Sequence, residues 1–313
     1  MNGMPPQATD TTRPNVARVY DCLLGGIEAF KADRDQAAGL LRICPSLGMV
    51  ALENRYFLAR AVTWAVGQDV TQFVDLGAGA PIQRVRAGVL EDIHVTARAA
   101  SAAVRVAYVD HDPVVLARSK VFRAPAYGVT VAAADLTDPG SVLADQSLRA
   151  VIDPAEPICV IFGLVLGLLP ARKVREIIAG YIARLAPGSL VVISCGRCDD
   201  EMLWRQLSEA YTAAPAWNHT PAEVKGFLGG LELVPPGLAG AQNWRAGWPD
   251  VPAAPPGPVY ALCAVARKAE EMQQVHPDTK HSHRRFTSAV RVHLGRNPRT
   301  DKADRFGKGQ DLH

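Results

Sequence analysis

Thr71-Gln72-Phe73-Val74-Asp75-Leu76-Gly77-Ala78-Gly79 is the stretch on which the fold turns. Gln72 to Asp75 form a short β-prone run that breaks at two glycines one residue apart, the pattern of a buried strand ending in a tight turn. Glycine suits backbone that must turn sharply or approach a ligand closely, because no Cβ obstructs it. Gly77 and Gly79 fit both needs. Asp75 narrows the ligand: a carboxylate two positions before the first glycine repels a pyrophosphate and attracts an ammonium group. A ligand cationic at that point is expected. The dinucleotide fingerprint needs a third glycine and an acidic residue about 20 positions on. Here Gly79 runs into Ala80-Pro81-Ile82, so a nicotinamide reading fits poorly.

Two further strands repeat the pattern. Val104 to Val109 alternates and ends in Asp110; Val129 to Ala134 ends in Asp135. Helix-compatible sequence follows each, at about Glu91–Ala100 after the first strand, Val114–Lys120 after the second and Asp138–Leu148 after the third. Three successive strands thus deliver a carboxylate to their carboxyl ends, outside which doubly wound sheets bind ligands. Asp112 before Pro113 reads instead as a helix N-cap. Ile158 to Gly163 is continuously apolar, as a central strand buried on both faces would be. The loop from Gly163 to Pro170, a helix over Lys173–Leu185, the strand Leu190–Ser194 and a helix over Asp199–Tyr211 come next. Leu231–Val234 and Val259–Val265 close the order as an antiparallel pair. The sum is a seven-stranded sheet, mostly parallel, with one antiparallel edge strand.

Ahead of the sheet stands a helical leader. Asn15 can cap a helix with Val16, Val19, Leu23 and Leu24 on one face, stopped by Gly25-Gly26; helices over Lys31–Arg42 and Leu52–Val66 follow. Such a leader caps the ligand crevice in many α/β enzymes. Arg18, Tyr20 and Asp21 then either touch ligand or hold the leader down.

Composition bounds the rest. The chain has 313 residues, 48% hydrophobic and 21% charged, which describes a globular protein with a sizeable core. Its longest apolar run, Ile158 to Leu169, is too short to span a bilayer, and Met1 to Thr12 carries no signal-peptide pattern. A cytoplasmic location without membrane partners is expected. Six cysteines suit a reducing compartment. Cys195-Gly196-Arg197-Cys198 has ligand-like spacing but lacks the second pair that zinc requires, so it reads as two thiols in a loop and no metal site is expected. From Ala269 to His313 the chain holds 9 Lys/Arg against 6 Asp/Glu, which accounts for the whole net charge of +3. The tail reads as mostly disordered and solvated, and only there does anything favour nucleic acid.

Read together, Arg18-Val19-Tyr20-Asp21 with Leu23-Leu24-Gly25-Gly26, Phe73-Val74-Asp75-Leu76-Gly77, Tyr108-Val109-Asp110-His111-Asp112-Pro113-Val114-Val115-Leu116 and Ala134-Asp135-Leu136-Thr137-Asp138-Pro139 resemble the S-adenosylmethionine-dependent methyltransferase family common in actinomycetes, formerly catalogued as a domain of unknown function. Ala186-Pro187-Gly188-Ser189, Leu231 to Leu238 and Val265-Ala266-Arg267-Lys268 continue the match, which covers about 15–268.

The resemblance implies a class I, Rossmann-like α/β sheet with an N-terminal helical cap. Residues 1–14 would be a disordered N-terminus, 15–67 the cap, 70–268 the α/β core and 269–313 the tail. It implies S-adenosyl-L-methionine as cofactor and a small-molecule methyl acceptor. Asp75 with Gly77, Ala78 and Gly79 would face the methionine ammonium and carboxylate, Asp110 the ribose hydroxyls, and Asp135 the adenine amino group with Leu136 on the ring. Tyr20, His111, Phe162 and Gly163 complete the implied cofactor contacts. No residue declares itself as a general base. Where relatives carry Val-Leu-His-Phe and Ser-His, this chain has Leu166-Gly167-Leu168-Leu169 and Ser194-Cys195. A second reading is therefore a cofactor-binding sensor or interaction protein without catalysis.

Overall fold

The computed structural model describes residues 10–27, 29–82, 91–246 and 257–269. The N-terminal nine residues, the second half of the Pro/Gly/Trp-rich loop and the basic tail expected from the sequence lie outside the described residues.

Five parallel strands and one long reversed strand carry the fold: β1 (Gln72–Leu76), β2 (Arg105–Asp110), β3 (Val129–Ala133), β4 (Ile158–Gly163), β5 (Leu190–Cys198) and, after the two-residue strands β6 (Glu232–Leu233) and β7 (Ala239–Gly240), β8 (Val259–Arg267). Their order is β3-β2-β1-β4-β5-β8-β6, with β7 also paired to β8. β8 runs antiparallel to β5, β6 and β7. The chain turns outward in both directions from the β1/β4 pair, the switch point at which an open α/β sheet leaves a crevice at its carboxyl ends.

Alternation along the strands separates two faces. Val74, Leu76, Val109, Phe162 and Ile193 join one core cluster with α6 (Pro139–Ala144), α7 (Gln146–Arg149), α8 (Ala171–Ile182) and α10 (Pro221–Phe227). Phe73, Val106, Tyr108 and Ile161 join the other with α3 (Leu47–Val66) and α4 (Ile93–Ala100). Asp75, two residues after Phe73, therefore stands on the α3 face.

The leader forms as its sequence dictates. Asn15 Oδ1 accepts from the backbone amides of Ala17 and Arg18 and caps α1 (Val16–Leu24), which ends at Gly25 in the left-handed region. α2 (Lys31–Ile43) is tied to α1 by buried Asp33, which accepts from Asn15 N at 2.8 Å and Arg18 Nε at 2.7 Å. Asn15 Nδ2 also donates to Asp112 Oδ2 at 2.7 Å, while Asp112 Oδ1 caps α5 (Pro113–Phe122). One side chain thus pins the leader to the rim of the sheet.

Some elements differ from expectation. α3 starts five residues early, because Leu47 to Ala51 have core partners that local pattern does not reveal. The third crossover breaks in two where Asp145 stops α6 and caps α7. α10 was not foreseen, although Thr220 and Glu223 form a capping box at its start. β5 runs on through Cys198 because β8 pairs with it to the end, so Cys195 and Cys198 lie in a strand and not a loop. α9 (Glu201–Ala210) agrees with the sequence reading.

Phe57 is fully buried on α3 and meets Trp244 edge-on, ring centroids 5.4 Å apart. Phe57→Ala is expected to cost about 3–5 kcal/mol in equilibrium urea unfolding; a loss below about 1 kcal/mol would mean that this layer closes over the gap.

Candidate functional site

The glycine turn after β1 is held from both sides. Gly77 N and Ala78 N both donate to Val109 O, at 2.9 and 3.1 Å. Gly79 N donates to Asp110 Oδ2 at 3.0 Å, and Asp110 Oδ1 accepts from His111 N and Asp112 N. From behind, fully buried Arg123 donates to the carbonyls of Gly79 (2.9 Å) and Ala80 (3.2 Å) and pairs with Asp92 through two nitrogens. Gly77 and Gly79 have φ of 67° and 63°. A Cβ on Gly77 would lie 2.5 Å from Val165 Cγ1, so both conformation and space demand glycine there.

In front of this turn lies a cavity of about 460 Å³, within the usual range for small-molecule pockets. Its wall includes Asp75, Gly77, Ala78, Gly79, Asp110, His111, Asp135, Leu136, Gly163 and Tyr20. The three carboxylates read from the sequence thus share one cavity, with Tyr20 opposite them on the leader. Phe162 is a correction: it is fully buried in the other core cluster, packed edge-on to Tyr181, and does not line the cavity. Strand alternation turns it away while its neighbour Gly163 reaches the rim. Of the leader candidates, Arg18 is the anchor to Asp33, and Asp21 lines a small recess behind the turn.

The carboxylates differ in what they have left to offer. Asp110 has committed three acceptor positions to its own backbone, so one remains on Oδ2. Asp135 is exposed and accepts from Thr137 N at 2.8 Å. Asp75 is 4% exposed and accepts no hydrogen bond from the described residues. Burial pushes its carboxyl up to about 6, against the opposing pull of Arg123 and Arg55. A buried carboxylate without a donor awaits a cation.

Sequence reasoning missed Asn54 and Arg55, neighbours on α3 that line the same cavity. Asn54 Nδ2 donates to Tyr20 Oη at 3.0 Å, and Tyr20 in turn donates to Ala51 O. Asn54 Oδ1 is buried with no partner among the described residues. The signal was present: Glu53-Asn54-Arg55 is a polar run in a mainly apolar helix, and a polar run among core-forming residues asks for a reason. Of the two substituted histidine positions, Leu168 lines the cavity, whereas Cys195 is buried in the core beneath it.

A parallel sheet with a reversed β8, a glycine turn at the switch point and an acidic rim around a cavity define a class I S-adenosylmethionine-dependent methyltransferase. A profile described as S-adenosyl methyltransferase matches residues 2–269, and the chain belongs to that family. Among solved structures it resembles a candidate methyltransferase from Thermobifida fusca: 31% identity over 85% of this chain and 98% of that one, TM-score 0.74. It also resembles a DUF574 family protein from Streptomyces avermitilis: 28% identity over 83% and 99%, TM-score 0.76. Among curated proteins nothing matches. The cofactor is S-adenosylmethionine, the mostly parallel class I sheet with an antiparallel edge is as read from the sequence but has eight strands where seven were expected, the short β7 being the addition, and no helix among the described residues is long and apolar enough to cross a membrane.

Asp75 carries a stability consequence. Its carboxyl is raised from 3.8 to about 6 in the fold, so the folded state holds its proton more tightly than the unfolded chain does. The resulting penalty is absent below about pH 4, grows through the window up to about 6, and is complete above it. In the absence of ligand, Asp75→Asn is expected to stabilise the protein by on the order of 2–3 kcal/mol at neutral pH and by only about 0.5 kcal/mol at about pH 4. Urea unfolding at both pH values reads this out; equal effects at both would contradict the assignment.

Proposed function

We propose that the acidic rim is the cofactor seat of a methyltransferase acting on a small-molecule acceptor in the cytoplasm. The observation that carries the reading is Asp75, a buried, unpartnered carboxylate beside a glycine turn. Asp75 and Asn54 Oδ1 accept from the methionine ammonium. The amides of Gly77, Ala78 and Gly79 are already used within the chain, so the turn contributes shape, and the Arg55 guanidinium is the group that pairs with the methionine carboxylate. Asp110, fixed by its three backbone donors, offers its remaining acceptor position to a ribose hydroxyl. His111 flanks it at the rim. Asp135 accepts from the adenine amino group, with Leu136 against the ring, and Gly163 leaves room beside the turn. Tyr20, held by Ala51 and Asn54, closes the crevice from the leader side.

Bound S-adenosylmethionine supplies a methyl already activated on a sulfonium. The protein's share is then alignment and exclusion of water, which proximity and desolvation turn into rate. The leader supports that share: Asn15, bonded to Asp112, and Tyr20 keep it closed on the rim.

Isothermal titration with S-adenosylmethionine and S-adenosylhomocysteine tests the reading. Both are expected to bind, and Asp75→Asn and Arg55→Ala are each expected to weaken binding on the order of 100-fold, the scale of a truncated buried charge pair. The carboxyl of Asp75 titrates at about 6 without ligand. Below that pH it must lose a proton to receive the ammonium, so affinity should fall about tenfold per pH unit. The Asn variant should lack this dependence. Affinity that stays flat in the wild type from about pH 7 down to about pH 5 would refute Asp75 as the ammonium partner.

A further inference from the structure

Charge divides the cavity along the order of the strands. Asp135, Asp110 and Asp75 follow β3, β2 and β1. Past the switch point, on the β4 and β5 side, the same cavity is walled by Leu164, Leu168, Trp204, Leu207, Tyr211 and Trp217. Among the described residues the charged side chain lining this half is Arg197, and its Nε is already paired with Asp199 Oδ1 at 2.7 Å. The half is also built rather than left over. Gln36 on α2 donates to Ala210 O at 2.7 Å and accepts from Thr212 N at 3.0 Å, gripping the chain on either side of Tyr211. Val19, Leu40 and Leu207 form one cluster with Tyr211, so the leader helices and α9 close this end together. Trp217 N donates to Gly167 O at 2.8 Å, which fixes a third aromatic residue against the loop after β4.

We infer that this half seats the methyl acceptor and that the acceptor is an uncharged aromatic molecule. The inference rests on the reading of the acidic rim as the cofactor seat. Two indole rings and a phenol lining one cavity offer stacking and edge contacts to a flat ring. A charged group brought here would lose its water without gaining a partner, since Arg197 is neutralised by Asp199. The division keeps the two ligands in separate halves: the cofactor's charges meet Asp75 and Arg55, and the acceptor's ring meets the tryptophans.

The test uses the full chain saturated with S-adenosylhomocysteine and two fluorescent probes sharing one ring system, neutral N-phenyl-1-naphthylamine and anionic 8-anilinonaphthalene-1-sulfonate. The neutral probe is expected to bind saturably and at least about tenfold more tightly than the anion. Trp204→Ala and Tyr211→Ala should each weaken the neutral probe by about tenfold while S-adenosylhomocysteine affinity, read by titration calorimetry, stays within about twofold. Where a variant loses both ligands, Leu168→Ala replaces it in the same comparison. Tighter binding of the anion would overturn the proposal in favour of an acidic acceptor held by Arg197. A neutral probe that does not saturate, or that ignores all three substitutions, would overturn it outright. Failure of wild-type protein to bind S-adenosylhomocysteine would instead bring down the cofactor reading.

Discussion

The glycine turn after β1 is clamped by hydrogen bonds that leave it nothing to adjust, and the site is built against that fixed edge. Asp110 takes the amides of Gly79, His111 and Asp112; Val109 O takes those of Gly77 and Ala78; Arg123 takes the carbonyls of Gly79 and Ala80. The pair formed by Arg123 and Asp92 is buried, and its charges are offset by each other and by the backbone dipoles they hold. Removing Arg123 would leave Asp92 to Arg55 Nη2 at 3.9 Å in the core, a situation costlier than losing an exposed pair. The clamp thus converts the ends of β1, β2 and α4 into one rigid unit.

Against that rigid unit, Asp75 is the exception. Three other buried carboxylates have donors: Asp33 has Arg18 and two amides, Asp92 has Arg123, Asp110 has three amides. Asp75 has none among the described residues and its proton affinity is raised accordingly. Fold and ligand pull in opposite directions at this position, since the feature that weakens the empty protein is the one a cationic ligand would satisfy. Asn54 repeats the theme on a smaller scale, its Oδ1 buried without a donor while its Nδ2 serves Tyr20.

Much of this was legible in the chain. Asn15 as a cap, Gly25 as a stop, the carboxylate-ended strands and Asp112 before Pro113 are local signals, each set by φ, ψ or by one side chain bonding its own backbone. They could be read because the cause lies within a few residues. Phe162 was misplaced because strand alternation sends it and Gly163 to different surroundings, and the face given to each depends on which helices cover it. Asn54 and Arg55 escaped notice because they face the site from α3, whose closeness to β1 is not written in either segment. The early start of α3 and the extension of β5 failed for the same reason: their partners, Ala51 with Leu24 and Cys198 with Val259, are distant in sequence.

By itself the sequence determined the five parallel strands and the reversed one with most of the helices between them, the need for glycine at Gly77 and Gly79, and the delivery of three acidic side chains to strand ends, because backbone conformation and two-residue alternation act locally. Only the tertiary structure decided that those carboxylates share one cavity, that Asp110 is engaged while Asp75 is left unpaired, and that the far wall is aromatic. Those outcomes depend on burial and on donors brought from elsewhere in the chain. Pairing across the sheet and the closing of the leader over it supply both.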